Sequence, residues 1–217
     1  MEASYDNFTY VVNDSTFQWH INNGKSEPYG DGQYNFVKSY IHQHPGKNRT
    51  YLDIGAHIGT TMLPYSRLFE NVYGYEPNSE NYTLCVQNIE RNKASNCHVS
   101  KVALLDEVVN GKTIRHGDNS GCYYFIEDSV DGEVPSTTVD MDKRVKDVDF
   151  IKIDTEGNEL RVLKGAVNTI TTYKPLLQIE TNGLSEKHFG VPERDVVQFI
   201  LNLGYRRISG TEFYVPI

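Results

Sequence analysis

Asp154, Glu156 and Glu159 crowd the end of the apolar run Val148–Ile153 in the stretch VDFIKIDTEGNELRVLKGA. Like charges this close repel and raise each other's pKa, so folding alone gives little reason to group them. Three kinds of chemistry would. Asp154, at the tip of a strand, suits a general base taking the proton of a weakly acidic hydroxyl, with Glu156 and Glu159 raising its pKa. Asp154, Glu156 and Glu180, the last from the later run LLQIET, offer hard oxygen ligands for Mg²⁺, a cofactor that is possible but not favoured. Glu156 and Glu159 also suit the positive end of the following helix, and for Glu159 this is the preferred reading. Lys152, inside the apolar run, pairs with one of these acids or contacts the acceptor. His188, in the loop NGLSEKHFG, is a second candidate base.

A second group precedes it. In YLDIGAHIGTT, residues 51–61, Gly55 and Gly59 permit a tight turn and close backbone approach by a ligand, at a helix start rich in free N–H groups. Asp53 comes just before, and Glu76 ends the next apolar run, where an acid can accept hydrogen bonds from both ribose hydroxyls. For Asp53 a structural hydrogen bond to the turn competes with ligand binding. The dinucleotide fingerprint GxGxxG is absent because His57 stands where its second glycine belongs. A positively charged nucleoside without phosphates suits a rim of Asp53 and Glu76 better than a pyrophosphate does.

The elements that must position these groups alternate. Strands are expected at TYLDIG, NVYGYEP, NCHVSKVAL, VDFIKID and PLLQIET. Helices are expected at QYNFVKSYIHQH, TTMLPYSRLF, SENYTLCVQNIERN (capped by Ser79), NELRVLKGAVNTI and 193–203. Such alternation implies a mainly parallel sheet with helices on both faces, and ligands at the carboxyl ends of its strands. The closing runs YRRIS and EFYVPI predict an antiparallel hairpin at one edge. Residues 1–32 are read as an extension holding a hairpin of Phe8–Val12 with Thr16–Ile21. Residues 107–147 are read as a β-rich insertion in a single domain spanning 1–217.

The two motifs together resemble class I methyltransferases, and DFIKIDTEGNELRVLKGA narrows the resemblance to the FkbM family, over Thr50 to Thr181. The resemblance implies a Rossmann-like fold with a seven-stranded sheet. It implies S-adenosylmethionine as cofactor and methyl transfer to a hydroxyl, a sugar or glycan being the favoured acceptor. Asp53, Gly55, Ala56, His57 and Gly59 would line its methionine and ribose part, with His57 structural rather than catalytic. Glu76 with Pro77 would hold the ribose, and Val102 and Ala103 would flank adenine, with Asp106 capping that loop. Glu156, Glu180, Tyr123 and Tyr124 would meet the acceptor. Trp19, His20 and the two tyrosines fit an acceptor pocket and an aromatic core equally well.

Bulk properties narrow the classes. A formal net charge of −8 argues against a nucleic-acid partner. No apolar run approaches the roughly 20 residues of a membrane span. The first ten residues lack the pattern of a secretory signal, and Cys85, Cys97 and Cys122 lack metal spacing, so a reducing, cytoplasmic setting is expected. Fifteen tyrosines suggest either partly buried rings or a wall for stacking on sugars. Two alternatives stay open: a nicotinamide-dependent oxidoreductase on the same sheet, and a non-catalytic glycan-binding domain.

Overall fold

The computed structural model describes residues 1–30 and 32–217. At the N-terminus β1 (Glu2–Tyr5) pairs antiparallel with β2 (Phe8–Val11) around Asp6 and Asn7, both at positive φ. The hairpin expected from 8–12 and 16–21 is therefore corrected, because Ser15–Asn22 forms helix α1. The alternation of Phe17, Trp19 and Ile21 imitates a strand, but Asp14 accepts the Phe17 N–H and caps a helix instead. Only Ile21 of that helix is buried, and Trp19 is 56% exposed. Helix α2 (Gln33–Gln43) follows.

The alternating segment runs β3 (Thr50–Ile54), α3 (Met62–Tyr65), β4 (Asn71–Tyr75), α4 (Ser79–Arg91) and β5 (Cys97–Ser100). Helix α3 is much shorter than expected; beyond Tyr65 the chain continues in tighter turns, Leu68 N–H reaching back to the Tyr65 carbonyl. Asn78, not Ser79, caps α4, accepting the N–H groups of Glu80 and Asn81. A second, four-stranded sheet holds β6 (Ala103–Leu104), β7 (Asn110–Arg115), β8 (Tyr123–Glu127) and β9 (Val134–Thr137), in the order β6-β9-β7-β8. The β-rich region thus begins at Ala103.

Then come β10 (Val148–Ile153), α5 (Glu159–Lys164), α6 (Val167–Tyr173) and β11 (Leu176–Ile179). The single helix expected over 158–170 is broken at Gly165, where a side chain would collide with the Leu105 carbonyl. The segment read as a loop after β11 contains helix α7 (Leu184–Phe189). Helix α8 (Glu193–Asn202), β12 (Tyr205–Arg207) and β13 (Phe213–Pro216) complete the chain.

The main sheet has seven strands in the order β12-β13-β11-β10-β3-β4-β5. β5, β4, β3, β10 and β11 are mutually parallel, and β13 is antiparallel to β11 and β12. The edge hairpin is present, with β13 as its inner strand. Both faces of the central strands are buried: Leu52, Ile54, Ile151 and Ile153 join one core cluster, while Tyr51 and Phe150 join another. That explains why these strands read as continuous apolar runs. Strand order reverses between β3 and β10, so a crevice opens at their carboxyl ends. Among the described residues no helix is long and apolar enough to cross a membrane.

Candidate active site

A cavity of about 460 Å³ occupies that crevice. Each turn after a parallel strand supplies part of its wall: Gly55, Ala56 and His57 after β3, Glu76 and Pro77 after β4, and Val102 and Ala103 after β5. Asp154, Thr155 and Glu156 follow β10, Glu180 follows β11, and Lys152 reaches in from β10 itself. Phe17, His20, Lys25, Ser26 and Glu27 close it from the N-terminal side, and Asn119, Gly121, Cys122 and Tyr123 from the second sheet.

Ser120 clasps these two covers to the main sheet. Its N–H donates to Asp14 at 3.0 Å, its hydroxyl meets His57 Nε2 at 2.9 Å, and its carbonyl accepts from Asn81 Nδ2 at 2.8 Å. Burial drives the His57 pKa down to about 4, so the ring stays neutral against Phe17. The backbone of His57 is left-handed, at φ 49°, a conformation His tolerates better than most residues.

Glu76 is 5% exposed and accepts the N–H of His57 at 2.9 Å and of Asn78 at 2.8 Å. Burial pushes its pKa up to about 7 in spite of those two bonds. Asp53, by contrast, does not line the cavity. Successive strand residues face opposite sides. Asp53 therefore shares the face of Tyr51, is wholly buried, and accepts the Thr61 hydroxyl beneath the turn. Gly59 is also off the wall; its bare Cα makes room for the Cys85 sulfur. Gly55 does line the cavity, but its missing side chain leaves space for the Asp154 carbonyl rather than for a ligand.

The acids after β10 divide. Oxygens of Asp154, Glu156 and Glu180 lie within 4.8 Å of one another. Lys152, 3% exposed, places Nζ 2.7 Å from Asp154 Oδ2 and 3.4 Å from Glu27 Oε2. Burial opposes its charge, but Asp154, Glu27 and Asp53 outweigh it, and the ammonium persists. Burial likewise opposes ionised Asp154, yet Lys152 and a hydrogen bond from Glu180 hold it below the usual range. The expectation that neighbouring acids raise Asp154 is thus corrected, because the repulsion falls on those neighbours. Asp154 and then burial push Glu180 up to about 10; burial and then Asp154 push Glu156 up to about 8. At neutral pH the cluster holds one carboxylate, two carboxylic acids and one ammonium.

Glu159 turns back on the loop, accepting from Thr155 N–H, Thr155 Oγ and Gly157 N–H, which supports the helix start as expected. Asp106 pairs with Arg161 at 2.7 Å. Tyr123 and Tyr124 part company across β8: Tyr123 faces the cavity, while Tyr124 stacks on His188 at 4.1 Å, outside the lining. His188, carried by α7, is therefore not beside Asp154 as a second base. His116, which meets Glu156 at 3.0 Å, was not singled out in the sequence; nor were Glu27, Phe17 and Ser120. Only three-dimensional pairing marks them. Six of the fifteen tyrosines, Tyr10, Tyr51, Tyr65, Tyr75, Tyr205 and Tyr214, are buried and eight more are partly so, while Tyr75 and Tyr123 are the ones that line the cavity.

Residues 53–207 match the family model described as methyltransferase FkbM domain. The fold is similar to that of a methyltransferase FkbM from Methylobacillus flagellatus KT, with TM-score 0.51, 20% identity, and coverage of 94% of this chain and 56% of that one. This chain therefore spans little more than half the length of that relative. It is also similar to precorrin 8W decarboxylase from Methanobacterium thermoautotrophicum, with TM-score 0.50, 14% identity, and coverage of 85% and 89%. No match was found among curated proteins. These solved structures share the fold, and the family model takes in all five parallel strands apart from the first residues of β3. The chain belongs to the methyltransferase FkbM domain family.

Proposed function

We propose that the chain is an S-adenosylmethionine-dependent O-methyltransferase acting on a hydroxyl of a sugar or glycan. Residues 1–32 and 107–147 would be additions to one methyltransferase domain. The observation that carries this reading is the Asp154 carboxylate, paired with Lys152 Nζ at 2.7 Å, on the same cavity as the buried acid Glu76. The donor set fits a cationic nucleoside: the walls carry carboxylic groups and apolar contacts, and Glu76 keeps lone pairs beyond its two backbone bonds. Glu76 would hold the ribose, Gly55, Ala56 and His57 the methionine side, and Pro77, Val102 and Ala103 the adenine. When bound, the cofactor supplies a methyl group on a sulfonium sulfur.

Asp154 accepts the proton of the acceptor hydroxyl as the oxygen attacks. Lys152 and the O–H of neutral Glu180 fix the carboxylate, and neutral Glu156 stands beside the acceptor's remaining oxygens. In-line displacement asks mainly for alignment, which these groups provide from a buried, braced strand end. Phe17, His20 and Tyr123 offer ring faces on the acceptor side. Glu27, Asp154, Glu156 and Glu180 make that side acidic, which favours neutral over anionic sugars. Lys152 already balances Asp154, so the reading does not call for Mg²⁺.

Mass spectrometry of neutral oligosaccharides incubated with protein and S-adenosylmethionine tests it. A mass gain of one methyl with stoichiometric S-adenosylhomocysteine is expected. Tight sugar binding without S-adenosylhomocysteine would favour a glycan-binding module, and binding of a nicotinamide nucleotide in its place an oxidoreductase.

A further inference from the structure

The family match begins at residue 53, yet Glu27 lies on the cavity wall beside Lys152. Glu27 is gripped from two sides. Its Oε2 lies 3.4 Å from Lys152 Nζ, and its Oε1 accepts from Gln33 Nε2 of α2 at 3.3 Å. Lys152 is 3% exposed and the Glu27 side chain 31%, so this ion pair is only partly screened by water.

We propose that Glu27 is a positioning residue of the catalytic site, drawing the Lys152 ammonium partly away from Asp154 so that Asp154 keeps the basicity it needs to accept the hydroxyl proton. This deepens the methyltransferase reading above and rests on it. A lysine shared by two carboxylates lowers the proton affinity of each by less than a lysine devoted to one. Removing Glu27 leaves Lys152 to Asp154 alone and also removes a negative charge from the pocket. The other charged or titratable groups around Asp154 are Asp53 from β3, His57 from the following turn, Glu156 and Glu180 from their turns, and Glu212 ahead of β13. None of them pairs with Lys152 within 4 Å; among the described residues only Glu27 and Asp154 do.

The test is carboxyl ¹³C NMR titration of the intact protein and of Glu27→Gln, reading the upper midpoint of the Asp154–Glu180 pair, assigned through Asp154→Asn. A pair this strongly linked titrates as a unit, and its upper step lies in the accessible alkaline range. Glu27→Gln is expected to lower that midpoint by about half a pH unit or more. Turnover should fall several-fold with the KM for S-adenosylmethionine unchanged, and Glu27→Asp should restore much of both. An unchanged midpoint in folded Glu27→Gln, with its melting curve intact, would overturn the proposal. If the wild-type protein transfers no methyl group to any acceptor, the proposed function fails instead, while the titration still decides the role of Glu27.

Discussion

A side chain on Gly55 would collide with the backbone carbonyl oxygen of Asp154, so the turn after β3 and the first residue after β10 are packed back to back. The two chemical motifs of the chain, about a hundred residues apart, meet at this contact. It is reinforced by the Asp154 N–H donating to the Ile54 carbonyl at 2.9 Å. Gly55 also stands at φ 92°, where any L side chain is strained.

Gly55→Ala should therefore destabilise the protein by at least about 2 kcal/mol, which lowers the melting temperature by several degrees. It should also weaken S-adenosylmethionine binding by displacing the turn. Calorimetric melting and titration check both, and a variant matching wild type in each would show that the turn adjusts freely.

Glu76 braces the same turn through His57 N–H while facing the cavity. Glu76→Ala should weaken cofactor binding by more than about tenfold, the scale of a lost charge-assisted hydrogen bond. Glu76→Gln should also bind less well, because one of its two backbone N–H partners then meets an amide NH₂. Isothermal calorimetry measures each; unaltered affinity in both would remove Glu76 from the cofactor site.

Asp154→Asn should abolish methyl transfer while leaving S-adenosylmethionine affinity within a few-fold of wild type. Single-turnover assays beside binding curves separate the two effects. Wild-type activity should be indifferent to EDTA, since Lys152 already neutralises the carboxylate; strict dependence on added Mg²⁺ would reassign Asp154, Glu156 and Glu180 as ligands.

Stability should fall as pH rises from about 6.5 to 8 in the absence of ligand. Burial raises Glu76 to about 7, burial with Asp154 and Glu159 raises Glu156 to about 8, and Asp154 with burial raises Glu180 to about 10. In that window these groups keep protons in the folded chain that an unfolded chain has already released. The folded state thus binds more protons, and the slope of stability with pH is negative. Neutral His57, shifted down to about 4, adds an opposing slope only on the acid side of about 6.5. Melting temperatures at the two pH values provide the check, and a rise towards pH 8 would contradict the assigned protonation states.

The alternation of apolar runs with helical stretches was enough to predict a parallel sheet and the edge at which the cavity lies, because strands buried on both faces must be continuously apolar. Glu76 and Asp154 were legible for the same reason: acids at the ends of such strands fall at the sheet's carboxyl edge. Other assignments needed the tertiary structure. Asp53 turns under the sheet and Tyr124 away from the cavity because neighbouring strand residues face opposite sides, and a sequence does not say which side holds the ligand. Phe17 and Ile21 fit either period, and the Asp14 cap decided for a helix. The charge state of the acid cluster was the least legible of all. It depends on Lys152 meeting Asp154 at 2.7 Å with Glu156 and Glu180 gathered beside them in a partly buried pocket, and electrostatic energies follow distance and burial rather than order along the chain.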